Sequence, residues 1–226
     1  MNKLYLVATP IGNLEDITLR ALEILRSVSL IACEDTRVTG RLLAHYQIKT
    51  KLVSYHQHST AGKTDWLLDH LQNQGDLALV TDAGTPGIAD PGNQLVAAAV
   101  KRFGDQVQII PLPGPSALAA ALSISGMPTD KFIFWGFLPH KKGKETVIKN
   151  IIASDMTSVF YESTHRIIKT LQKIKEMMPA GVRKKKIMIC RELTKKFETI
   201  YRGDIDQALD SLENDNSKGE FTVIIS

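Results

Sequence analysis

The chain has 226 residues, of which 43% are apolar and 23% charged, and a formal net charge of +4. That length supports one large or two modest cores, two being the expectation, and the composition is that of a folded soluble protein rather than a disordered or fibrous one. No run of about 18 uncharged apolar residues exists to span a bilayer, and Pro10 and Gly12 break the N-terminal MNKLYLVATPIGN before a secretory core can form, so a cytoplasmic address is expected.

In chain order, LYLVAT (4–9) is an apolar run of buried-strand length, and ITLRALEILRSV (17–28) carries apolar residues at helical spacing behind the polar GNLED. The alternation repeats: SLIACED (29–35) as strand, TRVTGRLLAHYQ (36–47) as helix, KLVSYH (51–56) as strand and AGKTDWLLDHLQNQ (61–74) as helix. DLALVTD (76–82) and VQIIPLP (107–113) follow as strands, with NQLVAAAVKRF (93–103) and SALAAALSIS (116–125) as helices. Strands alternating with helices predict an α/β fold with a mostly parallel sheet covered on both faces.

The breaker cluster SGMP begins at Ser125, and FIFWGFLP (132–139) then opens a second run of elements. The predicted division is therefore a domain over 1–125 and another over 126–226. The second half reads as helix KETVIKNIIAS (144–154), strand TSVFYES (157–163), helix RIIKTLQKIKEMM (166–178), strands KKIMICREL (185–193) and FETIYRG (197–203), helix DIDQALDSLEN (204–214) and strand EFTVIIS (220–226). Two successive strands without an intervening helix predict a hairpin, and with it a mixed sheet.

In parallel sheets ligands bind beyond the carboxyl ends of strands. Three Gly/Pro-rich loops fall there in the first half, TPIGNLED, DAGTPGIADPG and PLPGPSA, and the turn ESTHR falls there in the second. Glycine lets a ligand approach the backbone closely and proline stiffens it, so such loops present a rigid main-chain surface. Neither GxGxxG opening a helix nor GxxxxGK[ST] occurs, and PLPGPSA has proline where a phosphate-gripping loop needs free N–H groups. The economical inference is a cofactor without phosphates, with S-adenosylmethionine the leading candidate. Its amino groups and ribose hydroxyls call for carbonyl and carboxylate acceptors, which bent backbone and an aspartate such as Asp82 supply. The alternative is that the loops merely close a large α/β sheet.

Cys33 and Cys190 lie in apolar runs without CxxC spacing and read as buried free thiols. His56 and His58 would share one face of a strand, but no acidic or cysteine partner lies near in sequence to complete a site, so no metal is expected. Residues 1–125 carry ten Lys+Arg against eleven Asp+Glu, whereas 126–226 carry eighteen against thirteen. The basic excess concentrates in HKKGK (140–144), RKKK (183–186) and TKK (194–196), the distribution expected if one side of the second half meets a polyanion; the alternative is a solvated lysine-rich surface.

Taken together, TPIGNLEDIT, CEDTR, DAGTPGIADPG, PLPGPSA, FYESTHR, RELTKKFETI and KGEFTVII occur in an order that resembles the tetrapyrrole methylase superfamily, from Leu4 to Ile225. Within it, the set is similar to the bacterial branch that methylates a cytidine ribose 2′-O in small-subunit ribosomal RNA. The resemblance implies a homodimeric two-domain α/β methyltransferase of the tetrapyrrole-methylase-like fold, with S-adenosylmethionine in a cleft between domains. It implies RNA or the small (30S) subunit as partner, with no role for DNA or a membrane. Matched motif by motif, the cofactor contacts fall on Pro10, on Ala83, Gly84, Thr85 and Ile88, on Ser116 and Ala117, and on Tyr161, Glu162 and Leu193. Members of that branch often continue into a helical C-terminal extension, and because this chain stops after its final strand, weaker RNA affinity is an expectation.

Methyl transfer asks the protein to position the acceptor and remove its proton. Asp35, at a strand's carboxyl end and at the position of a proton-accepting aspartate in tetrapyrrole relatives, is the expected base, and strand alternation sets its neighbour Glu34 on the other side. Arg37, and from the second half Arg191 and Lys195, would hold a phosphate. Structural readings compete: Asp35 as cap of the helix opening at Thr36, Glu192 with Lys195 as an ordinary surface pair, and Ser163 or Thr164 as cap of the helix after YEST. Two other functions stay open, a methylase of a small molecule such as a corrin precursor, and a non-catalytic RNA-binding module on the same fold.

Overall fold

The computed structural model describes residues 2–179, 185–215 and 218–226. The chain divides into two compact units, Met1–Ser116 and Ala117–Ser226.

Unit 1 is built on strands β1 (Lys3–Val7), β2 (Leu30–Cys33), β3 (Leu52–Ser54), β4 (Leu77–Val80) and β5 (Gln108–Leu112) and helices α1 (Leu19–Ser27), α2 (Thr36–His45), α3 (Ala61–Asn73) and α4 (Asn93–Phe103). Its five strands form one sheet in the order β3-β2-β4-β1-β5. Every pairing is parallel, so all strand carboxyl ends share one edge. β2 and β4 are fully buried apolar runs, as strands covered on both faces must be.

The covering helices separate by face. Ala21, Leu22 and Leu25 of α1 and Leu42 and Leu43 of α2 pack with Ile31, Cys33, Ala78 and Val80. On the other face Leu67, Leu68 and Leu71 of α3 and Leu95 and Ala99 of α4 pack with Leu30, Ala32, Leu77 and Leu79. The loops leaving the adjacent strands β2 and β4 therefore diverge to opposite faces. A crevice opens at the carboxyl ends of such a pair.

Unit 2 contains α5 (Ala117–Ser123), β6 (Phe132–Phe137), α6 (Lys144–Ala153), β7 (Thr157–Ser163), α7 (Ile167–Met177), β8 (Ile187–Arg191), β9 (Thr199–Gly203), α8 (Ile205–Glu213) and β10 (Glu220–Ile225). The sheet order is β6-β7-β10-β8-β9. β6 and β7 run parallel, and β10 is antiparallel to both β7 and β8. The β8–β9 pair is the antiparallel hairpin that the two successive strand signals predict, so the sheet is mixed. Helices α6 to α8 cover one face through Ile148, Ile151, Leu171, Ile174, Leu209 and Leu212, packed on Phe160, Ile189 and Val223.

The division falls nine residues before the expected one at Ser125, and the reason is local. α5 packs on β10 of the second sheet. Leu118 N–H donates to Tyr161 Oη at 3.1 Å and Arg202 Nη2 donates to the Ile124 carbonyl. A Gly/Pro breaker marks a change of chain direction, and here that change lies inside unit 2.

Cys33 and Cys190 are buried free thiols in β2 and β8, and burial pushes the Cys190 thiol up to about 12. The pair His56 and His58 is not on a strand face, because β3 ends at Ser54. Both sit in a turn where His58 N–H donates to His56 Nδ1 at 3.2 Å. Among the described residues no group of three or more metal-ligating side chains occurs, and no helix is long and apolar enough to cross a membrane.

Candidate functional site

At the carboxyl edge of unit 1 the three Gly/Pro loops are laced together. Thr9 N–H donates to the Gly84 carbonyl at 2.9 Å and Gly84 N–H donates back to Thr9 at 3.0 Å, so the loop after β4 extends the loop after β1. Gly84 holds φ +83°, a left-handed value open to glycine at little cost. Thr85 Oγ1 donates to the Pro115 carbonyl at 3.3 Å and ties in the third loop. A Cβ on Gly114 would stand 2.9 Å from Ala8 Cβ, so only glycine lets that loop approach the end of β1 this closely.

Pro10, Asp82, Ala83, Gly84, Thr85, Ile88 and Ser116 are thereby set on one edge. Pro10 and Gly84 are buried, Asp82, Ala83, Thr85 and Ser116 are half-buried, and Ile88 is exposed. A cavity of about 310 Å³ opens between the β3–α3 and β4–α4 loops, lined among others by His56, Asp90 and Asn93. Because His56 Nδ1 accepts a backbone N–H, the neutral ring carries its proton on Nε2.

Three carboxylates meet in the β2/β4 crevice. Asp35 caps α2, accepting Arg37 N–H at 2.8 Å, and the same carboxylate takes the Arg37 guanidinium through Nε at 3.0 and 3.1 Å and through Nη2. That side-chain clamp, aided by the backbone N–H, lowers the Asp35 carboxyl to about 2. Asp82 Oδ1 accepts Asp35 N–H at 2.9 Å, which fixes the turn out of β2. Burial, with Asp35 close by, raises Asp82. Burial and then the Asp82 charge raise Glu34, which lies against the backbone N–H of Asp82 and is also within electrostatic reach of His56 and Asp35. Glu34 and Asp35 both interact with Asp82, so the two neighbours share this crevice. The missed signal is the neighbouring strand: CED and VTD both end in acid, and only the β2/β4 pairing shows that the two ends are adjacent.

Unit 2 distributes its expected site residues differently. Tyr161 is half-buried near the end of β7, where its hydroxyl accepts from Leu118 N–H beside Ala117, and Phe134 and Phe137 meet its ring edge-on. The Glu162 carboxylate is fully buried, with Arg166 Nε at 3.1 Å, Thr170 Oγ1 donating at 2.8 Å and Ser163 N–H at 2.9 Å. Arg166 in turn donates to the Leu138 and Pro139 carbonyls. Glu162 is thus spent on holding its own loop to α7. Leu193 is buried just beyond β8.

Arg191 is 6% exposed and engaged, donating from Nε to the Lys218 carbonyl at 2.7 Å and from Nη1 to Thr199 Oγ1 at 3.3 Å. Lys195 bonds Glu192 Oε1 at 2.9 Å and Glu220 Oε2 at 2.8 Å. Burial alone would lower Lys195, and these two carboxylates raise it instead. The Glu192–Lys195 pair expected from spacing is present, and it is half-buried rather than a surface pair. The α7 N-terminus has no side-chain cap. Thr164 Oγ1 is occupied with both the carbonyl and the N–H of Gly219 at 2.6 Å, so the expected cap from Ser163 or Thr164 gives way to a strand-end clamp.

The basic clusters are only partly solvated. Lys144 turns inward to Thr170 Oγ1 at 2.8 Å, and burial lowers its amine despite nearby Glu162. Lys185 donates to the Ser154 carbonyl. Lys141, Lys142, Lys186 and Lys196 remain exposed, while Arg183 and Lys184 lie outside the described residues.

Comparison with known proteins places this geometry in context. Residues 3–209 match the family described as tetrapyrrole (corrin/porphyrin) methylases. A protein of Synechocystis sp. named ribosomal RNA small subunit methyltransferase I is 44% identical over all of this chain and 79% of its own length. One of the same name from Thermotoga maritima is 42% identical, covering 100% of this chain and 99% of its own. Among solved structures, uroporphyrin-III C-methyl transferase from Thermus thermophilus complexed with S-adenyl homocysteine superposes with a TM-score of 0.68 at 16% identity, covering 99% of this chain and 97% of that one. At that identity the likeness speaks for the fold.

Proposed function

Because the chain belongs to the tetrapyrrole (corrin/porphyrin) methylase family, we propose that it is an S-adenosylmethionine-dependent methyltransferase of small-subunit ribosomal RNA, and that its acceptor is a cytidine ribose 2′-O. The observation that carries this reading is the likeness along the whole chain, at 42% and 44% identity, to relatives named for that activity. The small-molecule alternative has only a fold-level likeness behind it, to structures below 25% identity such as cobalt precorrin-4 methyltransferase at 18%.

The residues of unit 1 fit this cofactor by their chemistry. The laced loops offer carbonyls and the Asp82 carboxylate, acceptors suited to an ammonium, an adenine amino group and ribose hydroxyls, and no loop is built as a phosphate cradle. When bound, the cofactor supplies an electrophilic methyl group on a sulfonium. We assign its binding to Pro10, Asp82, Ala83, Gly84, Thr85, Ile88 and Ser116, and to Ala117, Tyr161 and Leu193 of unit 2. Glu162 would act by holding the turn that carries Tyr161. Arg191 and Lys195 would shape the loop around Leu193 from their internal bonds rather than grip a phosphate.

Lys141, Lys142, Lys186 and Lys196 are the exposed cations assigned to the RNA backbone, in a homodimeric cytoplasmic enzyme. The decisive experiment incubates the protein and labelled cofactor with small ribosomal subunits lacking the modification, and maps the labelled ribose. Label on a base, or none on RNA with label on a small molecule instead, overturns the reading. Affinity for RNA should fall steeply with salt, and changing Lys141 and Lys142 together to alanine should flatten the logarithmic slope by about 1 to 2, measured by titration at several ionic strengths.

A further inference from the structure

The β2/β4 crevice contains a second carboxylate whose surroundings suit proton transfer better than those of Asp35. Asp35 is fully committed: one of its oxygens caps α2, and both take the Arg37 guanidinium. A carboxylate held this way is a weak base, since proton acceptance improves as a group's own affinity for protons approaches that of its surroundings. Asp82 is committed to the turn out of β2 through Asp35 N–H.

Glu34 has a different position. Leu30 and Ala32 of β2 face α3 and α4, and Glu34 continues that alternation beyond the strand end. It accepts from the Asp82 backbone N–H and is within electrostatic reach of His56 in the β3–α3 loop. The titratable groups facing it are Asp82 from the end of β4, His56 from the loop after β3, and Asp35 from its own segment. Burial and the two aspartate charges raise its proton affinity, and the Asp82 backbone N–H and then His56 oppose them without reversing the direction. Arg37, the guanidinium of this crevice, is taken by Asp35.

We propose that Glu34, and not Asp35, accepts the proton of the ribose hydroxyl during methylation, an assignment that rests on the RNA methyltransferase reading above. Glu34 takes the proton that the hydroxyl releases as its oxygen bonds the methyl carbon and the carbon–sulfur electron pair returns to sulfur. Asp35 then serves as a positioning residue, holding the start of α2 and the Arg37 side chain.

The test compares the unaltered protein with Glu34→Gln, Glu34→Asp and Asp35→Asn in single turnovers on unmethylated small ribosomal subunits, over the acid-to-neutral range. Cofactor affinity is measured in parallel by calorimetry, and the Glu34 carboxyl of the unaltered protein is titrated by carbon NMR. Glu34→Gln should lose about 10²- to 10⁴-fold in rate, lose the acid limb of the pH profile and bind the cofactor within about twofold of the original affinity. Glu34→Asp should restore part of the rate, while Asp35→Asn should keep the acid limb and drop the rate by less than about tenfold. The carboxyl itself should titrate above the ordinary glutamate value. The assignment is overturned by an unchanged rate in Glu34→Gln, by an acid limb that vanishes with Asp35→Asn and persists with Glu34→Gln, or by a Glu34 carboxyl titrating at or below the ordinary value. The titration is read without turnover, so failure of the unaltered protein to methylate the subunits would strike the functional reading and leave Glu34 to be judged by its titration.

Discussion

In unit 2 the Glu162 carboxylate is withdrawn from solvent with a guanidinium, a hydroxyl and a backbone N–H arranged around it, and Arg191 is matched in the same way by a carbonyl and a threonine. In unit 1, Glu34 and Asp82 face one another in a crevice whose guanidinium belongs to Asp35, and burial raises both. The two regions look alike as text, each an acidic residue beside a strand end. They differ in whether a cation is bonded to the carboxylate. A satisfied charge holds the chain together, and removing its partner is costly. A carboxylate held by a backbone N–H and crowded by a like charge, as Asp82 is by Asp35, is less stabilised in its ionised form, and such perturbed groups gather at working sites.

The sharpest way to break this comparison is at Glu162. Glu162→Ala leaves Arg166 beside an empty buried space and should lower the unfolding free energy by about 3–5 kcal/mol, read by urea denaturation. A loss near zero would mean that the network is ornamental and Glu162 free to bind ligand. Next, Arg191→Met should cost about 2 kcal/mol through the lost charge-assisted hydrogen bonds, with the salt dependence of RNA binding unchanged in the folded protein. A flattened salt slope at unchanged stability would return Arg191 to the role of phosphate contact.

The opposite sign is expected in unit 1. A carboxyl raised in the folded state binds protons more tightly there than in the unfolded chain, so it loses stability as pH rises through its folded value. Glu34→Gln should therefore melt at a higher temperature than the unaltered protein at neutral pH, with the advantage shrinking as pH falls through the ordinary carboxylate range. A lower melting temperature at neutral pH would show Glu34 to be satisfied after all. The smallest effect belongs to Asp35→Asn, since asparagine caps a helix as well as aspartate does. The Asp35 contribution is present above the ordinary value of 3.8 and lost as pH falls towards 2, so the small deficit of Asp35→Asn should show in melting curves at neutral pH and close as pH falls towards 2.

Much of the fold is legible from the order of residues. Apolar runs such as LIAC and LALV are long enough for buried strands and too short for helices, and the helices between them carry their own start signals, Thr18, Asp35, Thr60 and Asp204. The β8–β9 hairpin follows from the missing helix. The unit boundary is less legible, because the side chains of α5 are all alanine, leucine or serine and name no partner; β10, about a hundred residues later, provides one. The turn holding His56 and His58 escapes a strand reading for a similar reason, since the Ser59 hydroxyl and the backbone of His58 close it after β3 has ended.

At the candidate site the sequence by itself determined which loops would be stiff and what they would offer, because glycine, proline and acid act on the backbone within a few residues of where they stand. Only the tertiary structure decided which charges were used up. Whether Asp35, Glu34, Glu162 or Arg191 has a counter-charge depends on partners brought by other turns and strands, and on how much water is left around them. Electrostatic energy is set by distance and burial in space, and neither can be read from position along the chain.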